Sequence, residues 1–152
     1  MADLVFNHYI RSMDEQYSRY EWFARQYGLT HKSMQILFWV LNYPEMTGQQ
    51  VTQKILAEKT YSSKQVVHAT IKTWQKKGYV SLLENPEDKR HKLIQLTDEG
   101  EAFARRIYQQ LTAMEERATQ VLSLDEQAIL TQLTQRYNQA LTQEMEKMND
   151  TI

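Results

Sequence analysis

Apolar positions recur along this chain at helical spacing almost from end to end. Phe6, Ile10, Met13, Tyr17, Tyr20, Ala24 and Tyr27 alternate steps of four and three, which predicts a first helix from Asp3 to Tyr27 with a heptad-like seam. Gly28 follows as its stop. Met34, Ile36, Leu37, Val40 and Leu41 predict a buried second helix, opened by Leu29-Thr30 and ended at Asn42-Tyr43-Pro44, because the residue before proline avoids helical geometry. A loop from Glu45 to Gln50 is expected next. Thr52 to Lys59 reads as a short helix with Ile55, Leu56 and Ala57 inward. Thr60-Tyr61-Ser62 then make a tight turn into another helix, which gives a helix-turn-helix.

The second helix of that pair divides into two faces. Val67, Ile71 and Trp74 fall on one narrow stripe, and Gln65, His68, Ala69, Lys72 and Lys76 fall opposite. Ser62 or Ser63 caps it, and Ser62 with Gln65 is spaced for a capping box. Gly78 stops it. Tyr79–Glu84 and His91–Leu96 read as strands around a turn-rich Asn85-Pro86-Glu87-Asp88-Lys89-Arg90. Thr97 caps a long helix from Asp98 to Leu122, striped by Phe103, Ile107, Leu111, Met114, Ala118 and Val121. Ser123 and Glu126 form a capping box for a last helix carrying Leu130, Leu133, Tyr137, Leu141, Met145 and Met148. Its tail, Asn149–Ile152, is expected to fray. The fold class is mainly α with a small β-hairpin wing, a winged helix-turn-helix between N- and C-terminal dimerisation helices.

Composition narrows the function. With 152 residues, four glycines, two prolines and no cysteine, the chain suits one helical domain with arms, and thiolate or disulfide chemistry is excluded. Its longest apolar run, Ile36–Leu41, is too short for a bilayer, and the N-terminus lacks a signal-like core, so a cytoplasmic protein is expected. The net charge of −1 hides an uneven distribution. From Lys59 to Lys92 eight cations face three acids, a net of +5, which leaves −6 elsewhere. A basic centre of this kind suits the field of DNA. Amide, imidazole, methyl and ammonium groups on one helix face can meet base edges and phosphates. Lys89, Arg90, His91 and Lys92 charge the hairpin tip. An arginine there fits a narrow minor groove, with Asp88 placed to hold its guanidinium.

These strings resemble the MarR family of bacterial transcriptional regulators. The resemblance rests on Leu29-Thr30, the run from Thr52 to Val80, Asp88-Lys89-Arg90, and Leu96-Thr97 with Gly100. It implies a dimer with interlocked terminal helices (1–28 and 101–152) carrying winged heads (29–100). It also implies that the helix Ser63–Lys77 enters the major groove and Arg90 the minor groove. DNA-facing residues on this reading are Ser62, Ser63, Lys64, Gln65, His68, Ala69, Lys72 and Lys76 on the helix, and Asp88 through Lys92 on the wing. Many family members carry arginine where Ala69 stands and glutamine where Ser33 stands. Ala69 therefore shifts base preference toward Gln65, His68 and Lys72.

Partners expected are double-stranded DNA, a second copy, and a small aromatic or apolar effector. The aromatic residues Tyr9, Tyr17, Tyr20, Trp22, Phe23, Tyr27 and Trp39 supply either an effector site or dimer packing. No cofactor is expected. No catalytic motif of the phosphate-loop, zinc-protease or serine-hydrolase kind occurs, so no enzyme activity is expected. His8, His31, His68 and His91 lack ligand spacing, so no metal site is assigned, and a metal-responsive regulator stands as an alternative. A winged-helix protein-interaction module without DNA binding is the other.

Overall fold

The structure, a computed structural model, describes the backbone of residues 2–151 and the side chains of residues 8–149. In order the elements are α1 (Ala2–Arg25), α2 (His31–Thr47), α3 (Gln53–Thr60), α4 (Lys64–Lys76), β1 (Val80–Leu83), β2 (Leu93–Leu96), α5 (Asp98–Thr119) and α6 (Leu124–Thr151). The chain forms two compact units, residues 1–109 and 110–152. None of the described helices is long and apolar enough to cross a membrane.

The first unit is built around Met34, Ile36 and Leu37 of α2, Leu56 of α3, Val67 and Ile71 of α4, Ile94 of β2 and Ile107 of α5, all fully buried. Each such side chain contributes roughly 1.5–3 kcal/mol on removal from water. Ile55 and Ala57, expected inward with Leu56, are only half-buried.

Gly28 ends the approach to α2 in the left-handed region, at φ 73°, and the Leu29 N–H reaches back to the Ala24 carbonyl at 3.0 Å. Thr30 then caps α2 reciprocally with Ser33: its hydroxyl accepts from the Ser33 N–H at 3.0 Å, and the Ser33 hydroxyl accepts from the Thr30 N–H at 2.9 Å. Tyr17 and Tyr20 of α1 enclose the His31 ring, at centroid distances of 4.8 and 5.2 Å. Burial there lowers the imidazole pKa against the raising effect of Glu21.

The expected end of α2 at Pro44 is corrected. Pro44 lies inside the helix, which continues to Thr47 and closes on Gly48 at φ 74°. Proline withholds only its own N–H from the Val40 carbonyl, and side chains brace the surrounding turns. Asn42 Nδ2 donates to the Phe38 carbonyl at 3.0 Å, and the Thr47 hydroxyl donates to the Tyr43 carbonyl at 2.8 Å. The expected 45–50 loop shrinks accordingly.

The strands pair antiparallel, Val80 with Leu96 through Leu83 with Leu93, and are shorter than expected at their outer ends. Val51 adds an isolated bridge to Ile94. Thr97 joins this hairpin to α5. Its N–H donates to the Tyr79 carbonyl at 3.0 Å, its hydroxyl donates to the Gly78 carbonyl at 2.6 Å, and the same oxygen accepts from the Gly100 N–H at 3.0 Å. Tyr79 also stacks on Phe103 at 4.8 Å.

In the second unit, α5 ends at Thr119, three residues before the expected Leu122. The Ser123–Glu126 capping box forms in both directions, at 2.8 and 3.1 Å. Gln127 Nε2 ties the turn by donating to the carbonyls of Thr119 and Leu122, both at 3.1 Å. Leu130, Leu133, Leu141, Met145 and Met148 are exposed, as are Met114 and Val121. α6 runs on through Thr151 where fraying was expected, since the helical period continues to Met148 without a breaker. Ile152 and the Phe6 side chain lie outside the described residues.

Gly100 is the most closely packed of the four glycines. A Cβ there would stand 2.0 Å from the Tyr79 carbonyl oxygen, a backbone atom with nowhere to retreat. Gly100→Ala is expected to lower stability by about 1–3 kcal/mol, the usual cost of overpacking. Urea unfolding checks this, and an unchanged midpoint contradicts the close approach.

Candidate nucleic-acid interface

α4 owes its start to Ser63, whose hydroxyl accepts from the Val66 N–H at 3.2 Å. The expected Ser62–Gln65 box does not form. The Ser62 hydroxyl is instead 2.6 Å from the hydroxyl of Thr60, a buried residue whose own hydroxyl bonds the Leu56 carbonyl. Gln65 is left exposed. Val67, Ile71 and Trp74 are buried, while Lys64, Gln65, His68, Ala69, Lys72 and Lys76 are exposed. Thr70 and Thr73 turn their hydroxyls onto the backbone of Val66 and Ala69, at 2.8 and 3.0 Å. The outward donors of this face are thus an amide, an imidazole and three ammonium groups around one methyl. Gly78, at φ 79°, takes the chain out of the helix and into β1.

The wing loop is organised by Asp88. One carboxylate oxygen accepts from the Arg90 N–H at 3.1 Å and faces the Arg90 Nε at 3.4 Å. The other lies 2.8 Å from His91 Nδ1. The hydrogen bond with His91, then that from the Arg90 N–H, holds the Asp88 carboxyl down at about 2. His91 is thus the closer partner, and the Arg90 side chain stays 86% exposed. Lys89 and Lys92 are exposed beside it.

Two features of this region were not legible in the sequence. Lys32 of α2 sends Nζ to the Thr60 carbonyl at 2.5 Å, which brings a cation from 28 residues away to the end of α3. Tyr61, which closes α3, has φ 54° and ψ 43°, and it is the one described non-glycine residue with positive φ. The contacts that select Lys32 are tertiary. Tyr61 carries no mark in the sequence, because a left-handed stop reads as glycine.

The aromatic residues proposed for an effector are dispersed. Phe23 is in the core, and Tyr27 packs against it at 5.4 Å with Arg106 at 5.7 Å. Tyr17 and Tyr20 flank His31, Tyr9 is half-buried, and Trp22 is exposed. Trp39 lines a cavity of about 300 Å³ with Phe38, Asn42, Glu45, Met46 and Tyr108. Phe38 meets Tyr108 edge-on at 5.2 Å, and Lys59 Nζ lies 5.4 Å from the Trp39 ring centre. The helical spacing of 38, 42 and 45 could have grouped three of these residues; Tyr108 could be added only by the fold. No group of three or more potential metal-ligating side chains occurs among the described residues.

The depressed Asp88 carboxyl keeps its charge, and with it the latch, above about pH 4, and loses both as pH falls through about 2. His91→Ala is expected to move the Asp88 midpoint upward, toward its ordinary 3.8, in a carboxyl-detected NMR titration. A midpoint that stays near 2 removes His91 from the latch.

Known proteins are similar to this chain in sequence and fold. The sequence model of the MarR family matches residues 27–91. An uncharacterised HTH-type transcriptional regulator of Bacillus subtilis strain 168, YdcH, is 35% identical over 75 residues, which are 49% of this chain and 50% of that protein. The chain thus matches about half the length of this curated relative. The MarR family regulator NMB1585 from Neisseria meningitidis has a similar fold, with a TM-score of 0.75 at 18% identity over 93% of this chain and 96% of that one. A mutant MarR from E. coli, complexed with operator DNA, gives 0.69 at 20% identity over 90% and 95%. The segment that holds α2, α3, α4, β1 and the Asp88 latch is thus similar in sequence to the MarR family, and the fold is similar to that of MarR regulators.

Proposed function

We propose that the chain is a sequence-specific DNA-binding transcriptional regulator, acting in the cytoplasm as a repressor-like homodimer on a pseudo-palindromic operator. The observation that carries this reading is the division of α4. Its buried Val67, Ile71 and Trp74 fix the helix, so that Gln65, His68, Ala69, Lys72 and Lys76 stand outward together. Gln65 can pair with an adenine edge, the Ala69 methyl can touch thymine, and the lysines can reach guanine or phosphate. Arg90, exposed beyond its Asp88 latch, is the minor-groove residue. Phosphate contacts from Lys64, Lys89 and Lys92 supply affinity, and the few base contacts supply choice. The likeness in fold to a MarR bound to operator DNA supports the same reading.

Residues 29–100 form the head in this proposal, and residues 1–28 with 101–152 form the pairing region. The exposed apolar row of α6 supports pairing, because water is a poor neighbour for five large side chains on one helix. Two heads about a two-fold axis would read half-sites about one DNA turn apart. The cavity beside Trp39 is the place for a small, largely apolar effector, which would act by favouring a head spacing that misses successive grooves.

Arg90→Ala is expected to weaken operator binding by about 1–3 kcal/mol, with dimer mass unchanged in sedimentation. Full affinity at moderate salt would remove the wing from the interface. Gln65→Ala should relax base preference at one position of each half-site more than it lowers non-specific affinity. Competition binding against single-base operator variants reads this directly, and equal losses on every duplex would contradict base reading.

A further inference from the structure

The helix stops at Gly28, Gly48 and Gly78 use the left-handed region, with φ between 73° and 79°. Tyr61 occupies the same region at the turn between α3 and α4. A Cβ crowds the following carbonyl there, a cost that glycine avoids. Backbone strain of this kind persists where the surroundings over-determine it, and it concentrates where proteins meet their ligands. The Tyr61 side chain receives nothing in return from its own chain. It is 93% exposed and makes no ring contact or side-chain hydrogen bond among the described residues.

Its surroundings have a definite character. Lys32 Nζ is bonded to the carbonyl of the preceding residue, Thr60, at 2.5 Å. Lys64 follows three residues later as the first residue of α4, whose first turn carries no acid. Glu58 is the one acid between Leu56 and Val66. Tyr61 stands four residues ahead of Gln65, the first amide of the outward face. A phenol hydroxyl on a short segment that also carries Lys64 and receives the Lys32 ammonium suits a sugar–phosphate backbone. The hydroxyl and the cations suit phosphate oxygens, and such contacts carry no sequence information.

We infer that Tyr61 is a further DNA contact, outside the outward face of α4 and outside the wing. Its phenol hydroxyl donates to a backbone phosphate beside the groove that α4 enters, with Lys32 and Lys64 adding charge. This rests on the DNA-binding reading above. It accounts for a tyrosine at a position where glycine would relieve the fold: the strain is retained for a contact made only in the complex.

Tyr61→Gly and Tyr61→Asn both suit the left-handed backbone, so either can relieve the strain. The probes are a duplex enriched by the full-length protein from a random-sequence pool, and an unrelated duplex of equal length. Thermal melting is measured alongside fluorescence anisotropy. Both variants should melt at or above the parent midpoint and bind both duplexes about tenfold more weakly, the size of one lost hydrogen bond to a charged group. Tyr61→Phe should lose most of that factor. Parent-like affinity in the Gly and Asn variants, with Arg90→Ala still weakened, overturns the Tyr61 contact alone. Lower melting points in both variants overturn the strain argument. Parent-like binding by Tyr61→Phe overturns the hydroxyl contact. If the parent enriches no duplex and binds neither probe in a salt-sensitive way, the DNA reading falls, and this inference falls with it.

Discussion

Burial of Val67, Ile71 and Trp74 is the constraint from which the rest of this molecule follows. α4 has 13 residues, near the lower limit of what holds a helix alone in water. Its stability and its rotation therefore come from its neighbours, chiefly α3 and β1. A helix fixed on one side has its other side aimed. The outward placement of Gln65, His68 and Lys72 is thus a consequence of core packing, and no interaction among those polar residues is needed to produce it. A core change that rotated α4 by one residue, about 100°, would turn these groups away together.

The charges follow a similar division of labour. A nearly neutral chain keeps its basic excess in the segment from Lys59 to Lys92, and within the wing loop the acid Asp88 is spent on structure. The carboxylate takes its strongest contact from His91, which leaves the Arg90 guanidinium largely in water. A guanidinium held at 3.4 Å loses little by leaving its partner for a groove, whereas one buried in a tight pair would first have to break it. The latch shapes the loop without sequestering the group it presents.

Elements set by local pattern were legible in the sequence: the helix α1 with its Gly28 stop, the Thr30 and Thr97 caps, the Ser123–Glu126 box, and the anchor stripe of α4. Local rules failed where longer-range contacts outweighed them. Pro44 reads as a terminator, yet packing of Val40 and Leu41 and two side-chain braces carry α2 past it. Ser62 and Gln65 have the spacing of a box, but a hydroxyl from buried Thr60 competes for Ser62. The pairing of Asp88 was assigned to Arg90 by charge, and a shorter contact with His91 emerged from the turn of the loop. The cavity beside Trp39 joins α2 to Tyr108 across more than 60 residues, a distance at which periodicity is silent.

The junction at Thr97 has a mechanical meaning. Leu96 ends a strand and Asp98 begins a helix, with one residue between them, and that residue is bonded to both Gly78 and Tyr79. Gly100 lies too close to Tyr79 for the joint to slide. The start of α5 is therefore tied, within the first unit, to the residues that lead from α4 into β1. α5 is 22 residues, about 33 Å, of continuous helix. One threonine thus closes the hairpin side and caps the helix, so a single side chain sets where β2 stops and α5 starts.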